Sequence, residues 1–394
     1  MSLKGTPGTA RSLNRRMILN CLRQTGPMSR VEIVSATGLS PAAVTLVTAE
    51  LMADDLLEEG TSTITSAGRR PIPLTIKYGA RLAIGIKIME RHMVGVLTDL
   101  STRVLVQSTV ELDSLTPASV VDAVMQLIER LAPAKTDRDR IAGIGVGLPG
   151  LIDAETGVCV AAHRLDWRNV PIASMLAQRV DMPVWIDNDV NAYAIAQYLF
   201  GHGQQASTLA VVTVGRGIGA GIVINGRLHG GAHGAAGEIG HMLAQDDGRL
   251  CECGRRGCLE AYASEPSMLG IWGELDPAAA GRSIESLLGN ARAGDATCRS
   301  VIHNAGRQLG LRVADLINLV DPDVLVIGGE GVRFGTLMFD PMREALTQRV
   351  FSQLPTIVLA EWGEDAWVRG AAALAIQRFF DFESIVGRTA DMAA

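Results

Sequence analysis

Aromatic residues are scarce in this 394-residue chain, at 4 %. Missing too is any run near the roughly 18 unbroken apolar residues of a membrane span, which argues against a membrane partner. The opening stretch KGTPGTARSLNRR is polar and basic and lacks a secretory h-region. These absences predict a cytoplasmic protein, in a compartment where structural disulfides are disfavoured. Glycine, by contrast, is abundant at 43 residues, and 47 % of the chain is hydrophobic. The length suggests two or three domains. Many glycines with few aromatics suit an α/β protein whose backbone turns tightly against ligands.

Charge is unevenly spread. Residues 1–78 hold nine Lys/Arg against six Asp/Glu, so the remainder carries −9 of a chain total of −6. A basic head on an acidic body hints at nucleic acid. Within that head, SLNRRMILNCLRQTG sets Leu13, Ile18, Leu19 and Leu22 at helical spacing before Gly26-Pro27. In SRVEIVSATG, Ser29 and Glu32 form a capping box. LSPAAVTLVTAELMADDLL opens with Ser40 as N-cap and Pro41 at the first helical position, and the short TGLS turn before it completes a helix-turn-helix pattern. LLEEG, TSTITSAGRRP and PLTI then predict a β-hairpin wing with Gly68, Arg69 and Arg70 at its tip. Read as a double-stranded DNA binder, the recognition helix starts at Ser40 and exposes Ala42, Ala43, Thr45 and Thr48, with Arg69 and Arg70 in or beside the minor groove. The other reading is a small helical protein-interaction domain; the wing and the basic bias favour DNA.

From residue 81 the pattern changes. RLAIGIKIMERHMVGVLTDLSTRVLVQSTVEL reads as three strands, followed by a helix near 117–132 and the apolar strand IAGIGVGLPG. STLAVVTVGRGIGAGIVINGRLHGG again reads as strand, turn, strand, turn, strand, with helices and DVLVIGG after it. This repetition suggests two similar α/β lobes with a cleft between them.

The glycine-rich segment, EIGH, CECGRRGCLE and the leading winged helix together resemble the ROK family (repressors, open reading frames, sugar kinases), over nearly the whole chain. The winged head is similar to that of its repressor branch. The resemblance implies a duplicated, ribonuclease H-like actin/hexokinase fold with a sugar in the interlobe cleft. It implies domains at 1–80 and 81–394, the lobes being about 81–190 plus the C-terminal helix, and about 191–375.

The resemblance also implies a sugar site. In WIDNDVNAYAIAQ, Asn188 and Asp189 match residues that hold sugar hydroxyls, the Asp serving as base in the kinases. Taken alone, a carboxylate at a helix start is more often a cap. Glu238, His241 and Glu260 match further sugar ligands, and Gly150 matches the backbone approach to the sugar. The family's first phosphate motif, D-x-G-G-T, is not kept: Lys87 stands where the Asp belongs, and Met89, Glu90 and Arg91 replace Gly-Gly-Thr. In TVGRGIGAG the glycines persist, but Arg216 stands where kinases usually have Thr. Catalysis is therefore expected to be lost, with Asp189 a vestigial base. Lys87 or Arg216 could instead meet the phosphate of a sugar phosphate.

Cys251, Cys253 and Cys258 lie within eight residues of one another, with His241 ten before the first. Cys-x-Cys-x4-Cys with one His suffices for a closed, structural tetrahedral zinc site. The competing reading is three buried thiols, and Cys21, Cys159 and Cys298 are taken as inert core residues. The function that follows is a sugar-responsive transcription regulator, a repressor of carbohydrate uptake or catabolism genes. It would bind its operator as a homodimer or homotetramer and a sugar or sugar phosphate as effector. The alternatives are an ATP-dependent sugar kinase with a DNA-binding head, and a scaffold whose body binds another protein.

Overall fold

The computed structural model describes residues 7–60, 64–65, 68–69, 72–361, 363 and 365–381. Its elements run α1 (Pro7–Thr25), β1 (Met28–Ser29), α2 (Arg30–Thr37), α3 (Pro41–Ala53), β2 (Leu57–Glu59), β3 (Ile64–Thr65), β4 (Gly68–Arg69), β5 (Pro73–Ile76), β6 (Leu82–Ile88), β7 (His92–Asp99), β8 (Val104–Glu111), α4 (Pro117–Leu131), α5 (Lys135–Arg138) and β9 (Ile141–Leu148). Next come β10 (Leu151–Asp153), β11 (Val158–Ala162), β12 (Trp167–Val170), α6 (Ile172–Ala177), β13 (Val184–Asn188), α7 (Asp189–Phe200), β14 (Thr208–Val214), β15 (Ile218–Ile224) and β16 (Arg227–Leu228). The chain closes with α8 (Glu260–Ala263), α9 (Glu265–Leu275), α10 (Ile284–Ala293), α11 (Ala296–Val320), β17 (Val324–Gly328), α12 (Thr336–Arg349), β18 (Thr356–Leu359) and α13 (Ala366–Asp381).

The repetition seen in the sequence is a repetition of topology. One five-stranded sheet has the order β13-β9-β6-β7-β8 and the other β16-β15-β14-β17-β18. In each, an antiparallel meander supplies three strands, and the first of these also pairs in parallel with a later strand, β6 with β9 and β14 with β17. Alternation along β14 explains why that sheet is covered on both faces. Ala210, Val212 and Val214 face a core built with α9, α11 and α12, while Leu209 and Val211 face a second cluster with Tyr193 and Trp367. Side chains that alternate across a strand need two apolar covers when both sets are apolar.

Close contacts divide the chain into two units, Met1–Gly147 with Ile172–Ile186 and Ala371–Ala394, and Leu148–Pro171 with Asp187–Gly370. The head falls in one unit with the strands that follow it rather than ending at 80, while the division at 186/187 lies near the expected lobe boundary of about 190 and the C-terminal segment belongs to the first unit. The head is not split off, because α1 bonds the end of α13: Asn20 Nδ2 donates to the Phe380 carbonyl at 3.2 Å, and Arg16 meets Asp381 at 3.1 Å. The excursion 148–171, which carries the separate sheet β10-β11-β12, joins the second unit.

In the head, Ser29 and Glu32 form the expected capping box, Gly38 ends α2 with a left-handed φ of 70°, and Ser40 caps α3 by accepting from Ala43 N–H. Among the described residues no single helix is long and apolar enough to cross a membrane.

Gly145 on β9 lies against α13, where an added Cβ would fall on the Ala371 carbonyl oxygen, a backbone atom that cannot rotate away. Gly145→Ala is therefore expected to destabilise the first unit by about 2–4 kcal/mol, in the range of core overpacking and lost backbone bonding. Denaturant unfolding followed by far-UV circular dichroism checks this, and wild-type stability would contradict the packing.

Candidate functional site

All the residues expected to face a sugar fall in the second unit. The organising point is the junction of β13 and α7. Asn188 is the N-cap of α7, its Oδ1 accepting from Val190 N–H at 2.8 Å, and its Nδ2 donates to the Gly150 carbonyl at 2.9 Å. Gly150 has φ 111°, and a Cβ there would collide with the Ala161 carbonyl, so only glycine brings this carbonyl to Asn188. Asp187, buried and passed over in the sequence, accepts from Asn188 N–H at 2.7 Å and from Asn191 Nδ2 at 2.9 Å. Asp189 is the first residue of α7 and accepts from Val190 N–H at 2.9 Å. The capping role thus belongs to Asn188, with the Asp189 carboxylate at the positive end of the helix.

Helix α7 reaches this position by lying directly on β15. A Cβ on Gly219 would press on Val190, and one on Gly221 would overlap the Ala194 methyl. Gly328, in the IGG stretch, is likewise closed by the Tyr193 ring. These three glycines therefore have a packing role of their own, against Val190, Tyr193 and Ala194 of α7.

Three further side chains approach. Glu238 opens the short helical turn Ile239–His241, and Glu260 is the first residue of α8. Burial, then the nearby charges of Glu260 and Asp189, push the Glu238 carboxyl above its usual range, with Arg255 opposing. Glu260 Oε2 accepts from Ile218 N–H at 3.0 Å, and its Oε1 lies 3.8 Å from Arg164 Nη2. Arg164 follows β11 and was not anticipated, because nothing in HRLDW marks it in sequence. It donates to the Arg216 carbonyl at 3.3 Å and lies 3.5 Å from Glu252. Arg216 itself grips both carboxylate oxygens of Glu252, at 3.0 and 3.1 Å. A set of carboxylates, an amide, an imidazole and a guanidinium can donate to and accept from neighbouring hydroxyls.

Glu252 lies between two of the clustered cysteines. The ligand atoms of His241, Cys251, Cys253 and Cys258 all lie within 4.8 Å of one another. Cys253 and Cys258 sulfurs are 3.8 Å apart, and Cys251 Sγ is 3.7 Å from His241 Nδ1. Tetrahedral zinc with Zn–S near 2.3 Å requires sulfurs about 3.8 Å apart. Burial pushes the Cys251 thiol up to about 12. Donor chemistry and spacing therefore both fit a metal ion. The loop is shaped for it by Gly254 and Gly257, at φ 85° and 80°, and by Cys251 N–H donating to the Arg255 carbonyl at 2.8 Å. His241 turns its other nitrogen to Glu238, 3.8 Å away, so one imidazole joins the cysteine cluster to the carboxylate set. Of the other cysteines, Cys159 and Cys298 are buried as expected, whereas Cys21 is only partly buried.

On α3, Ala42 and Thr45 are exposed and Ala43 is partly so. Thr48 is not: it is fully buried, its hydroxyl donating to the Val44 carbonyl at 2.8 Å and accepting from Arg30 Nε at 3.2 Å. The spacing that buries Val44, Val47 and Leu51 carries Thr48 to the same face. Leu46, 61 % exposed, joins Thr45 on the outer face instead. The wing strands pair Thr65 with Gly68 and Ile64 with Arg69, so Gly68 and Arg69 form the returning strand rather than the tip. Arg70 lies outside the described residues. Lys87 is buried at the end of β6, and Glu90 and Arg91 are exposed on the tight turn closed by Met89 N–H to the His92 carbonyl.

Asn188→Ala removes the cap of α7 and the tie to Gly150 together. It is expected to lower stability by about 1–2 kcal/mol with no sugar present. Denaturant unfolding of the ligand-free protein checks this; an unchanged midpoint would show that the asparagine does not hold the helix start.

Comparison with known proteins bears on the family and the fold. The ROK family model matches residues 83–378, and a winged helix-turn-helix DNA-binding model matches residues 11–58. The xylose repressor of Caldicellulosiruptor bescii is 30 % identical over 358 residues, covering 86 % of this chain and 89 % of that protein. The Escherichia coli transcriptional dual regulator NagC is 30 % identical over 338 residues, covering 83 % and 82 %. A ROK family transcriptional regulator homologous to E. coli Mlc superposes with a TM-score of 0.83 at 27 % identity, covering 94 % of this chain and 97 % of the other. A ROK glucokinase from Streptomyces griseus, solved with glucose and AMPPNP, superposes with a TM-score of 0.66 at 29 % identity, covering 75 % and 99 %. The paired sheets thus have the duplicated actin/hexokinase-like arrangement of sugar kinases, preceded by a winged helix. On this evidence the chain belongs to the ROK family.

Proposed function

We propose that this chain is a sugar-responsive transcription regulator that represses carbohydrate uptake or catabolism genes. The observation that supports the reading is the joint presence, in one chain of the ROK family, of a capped helix-turn-helix and a cluster of carboxylates gathered near the start of α7. The winged head binds double-stranded operator DNA, which implies a cytoplasmic location. Ser40 starts the recognition helix, and Ala42, Ala43, Thr45 and Leu46 face the groove, with Arg69 and Arg70 adding positive charge to the head. A homodimer or homotetramer matches a two-fold operator. Asn188, Asp189, Glu238, His241 and Glu260 hold a sugar or sugar phosphate, with the Gly150 backbone alongside. The sugar acts only through different affinities for two arrangements of the protein.

Loss of catalysis is part of the reading. Without the motif Asp, and with Lys87, Met89, Glu90 and Arg91 in place of D-x-G-G-T, no group remains to organise a metal-bound phosphate, and Asp189 is a contact rather than a base. The position of Asp189 supports the second reading, a sugar kinase with a DNA-binding head. Sugar-dependent ATP turnover that vanishes in Asp189→Asn would establish that second reading.

His241, Cys251, Cys253 and Cys258 would hold one structural zinc. Zinc there neutralises the thiolates and closes the loop. The chain's own residues do the rest: His241 orients Glu238, and Glu252 ties the loop to Arg216 and Arg164.

A thermal-shift screen of sugars and sugar phosphates is the direct test of the effector site. A cognate ligand at about 100 times its dissociation constant adds about 2.7 kcal/mol. The shift is expected to disappear in Asp189→Ala, and a shift that survives there would move the site elsewhere. Cys251→Ser is expected to lose zinc, by elemental analysis, together with the ligand-induced shift. A zinc-free variant with a normal shift would separate the metal from the pocket. In the head, Thr45→Glu is expected to weaken operator binding at least about tenfold through repulsion of the phosphates, without changing the melting temperature.

A further inference from the structure

Helix α13 begins in the second unit and ends in the first. At 1.5 Å per residue it is about 24 Å long. Its first turn is fixed to α7, the helix that Asn188 and Asp189 begin. The Trp367 and Tyr193 rings pack 5.9 Å apart, and Trp367 Nε1 donates to Glu330 at 3.0 Å. Gly370 lies so close to α7 that a Cβ would come within 3.0 Å of the Tyr193 backbone. Tyr193 follows Asp189 by one helical turn. The middle of α13, Ala371 to Ile376, is buried throughout.

The far end is fixed to the DNA-binding head. Phe380 is 1 % exposed, with the buried Arg23 guanidinium of α1 over its ring at 5.8 Å. Asn20 accepts from Arg23 Nε at 3.2 Å while donating to the Phe380 carbonyl at 3.2 Å. From α1 the contacts continue to the recognition helix: Arg11 pairs with Glu50 at 2.8 Å and Arg15 with Asp54 at 2.5 Å. Within the second unit the start of α13 is thus packed on Tyr193, one turn from Asp189, and within the first its end is packed on α1, which is paired with α3.

We propose that α13 is the element through which effector occupancy at the α7 start is transmitted to the recognition helix. The inference rests on the sugar-responsive reading above. A rigid helix held at both ends carries a small shift at one end to the other, because packed interfaces change between discrete arrangements rather than deforming smoothly. Spatial continuity alone does not establish coupling, so the test is a coupling measurement.

Two variants weaken opposite ends of α13: Arg16→Ala with Asn20→Ala at the head, and Trp367→Leu at α7. For each, sugar affinity is measured by calorimetry and operator affinity by fluorescence anisotropy with and without sugar, after a melting curve establishes folding. In the wild type the sugar changes operator affinity by about 5- to 150-fold, the usual range of allosteric coupling. The expected result is that both variants bind sugar and operator within about threefold of wild type while the coupling factor falls toward one. By reciprocity, operator DNA should then also cease to change sugar affinity. Full coupling in either folded variant would overturn the proposal. A wild-type protein whose operator affinity responds to no sugar would overturn the sugar-responsive reading itself, and the relay with it.

Discussion

Much of this structure depends on one close approach, that of helix α7 to strand β15. Two glycines, Gly219 and Gly221, let the helix lie where any side chain would push it off. That contact fixes the height of the helix start, and so the positions of Asn188 and Asp189. It also presents Tyr193 to Gly328 on one side and to α13 on the other. A sequence motif that in kinases admits phosphate serves here as a seat for a helix. The same glycines stand in a chain that reads Lys87, Met89, Glu90 and Arg91 after its first body strand.

The cysteine loop is a second fixed point, and it is joined to the first by charge. His241 belongs to both the metal-type set and the carboxylate set, while Glu252 reaches out between Cys251 and Cys253 to Arg216 and Arg164. Arg164 in turn stands beside Glu260, whose other oxygen is held by Ile218 N–H at the start of β15. The same strand therefore seats α7 and orients Glu260. Burial first, and then the charges of Glu260 and Asp189, raise the Glu238 carboxyl above its usual range.

Features with short sequence range were legible beforehand. The capping box at Ser29 and Glu32, the Ser40 cap, the cysteine loop and the repeated strand pattern are each set by neighbours within about a dozen residues, and each is found in the structure. What was not legible depends on distant pairing. The Gly150 to Asn188 bond spans 38 residues, and Arg164 reaches Arg216 across 52. The excursion 148–171 looked like a continuation of the first lobe, yet it folds into its own small sheet and joins the other unit. Thr48 was misplaced for a different reason. Its polarity suggested an outer position, although its spacing from Val44 and Leu51 places it inward, where it bonds its own helix.

On the proposed function, occupancy of the Asn188–Asp189 site changes the affinity of the winged head for DNA. The most direct measurement is a titration of operator binding by fluorescence anisotropy, with the sugar that stabilises the protein present and absent, in wild type and in Asp189→Ala. The expected result is a sugar-dependent change of at least about fivefold in wild type and none in the variant, with equal operator affinity in the absence of sugar. An operator affinity in wild type that stays constant across every sugar and sugar phosphate bound by the protein would contradict it.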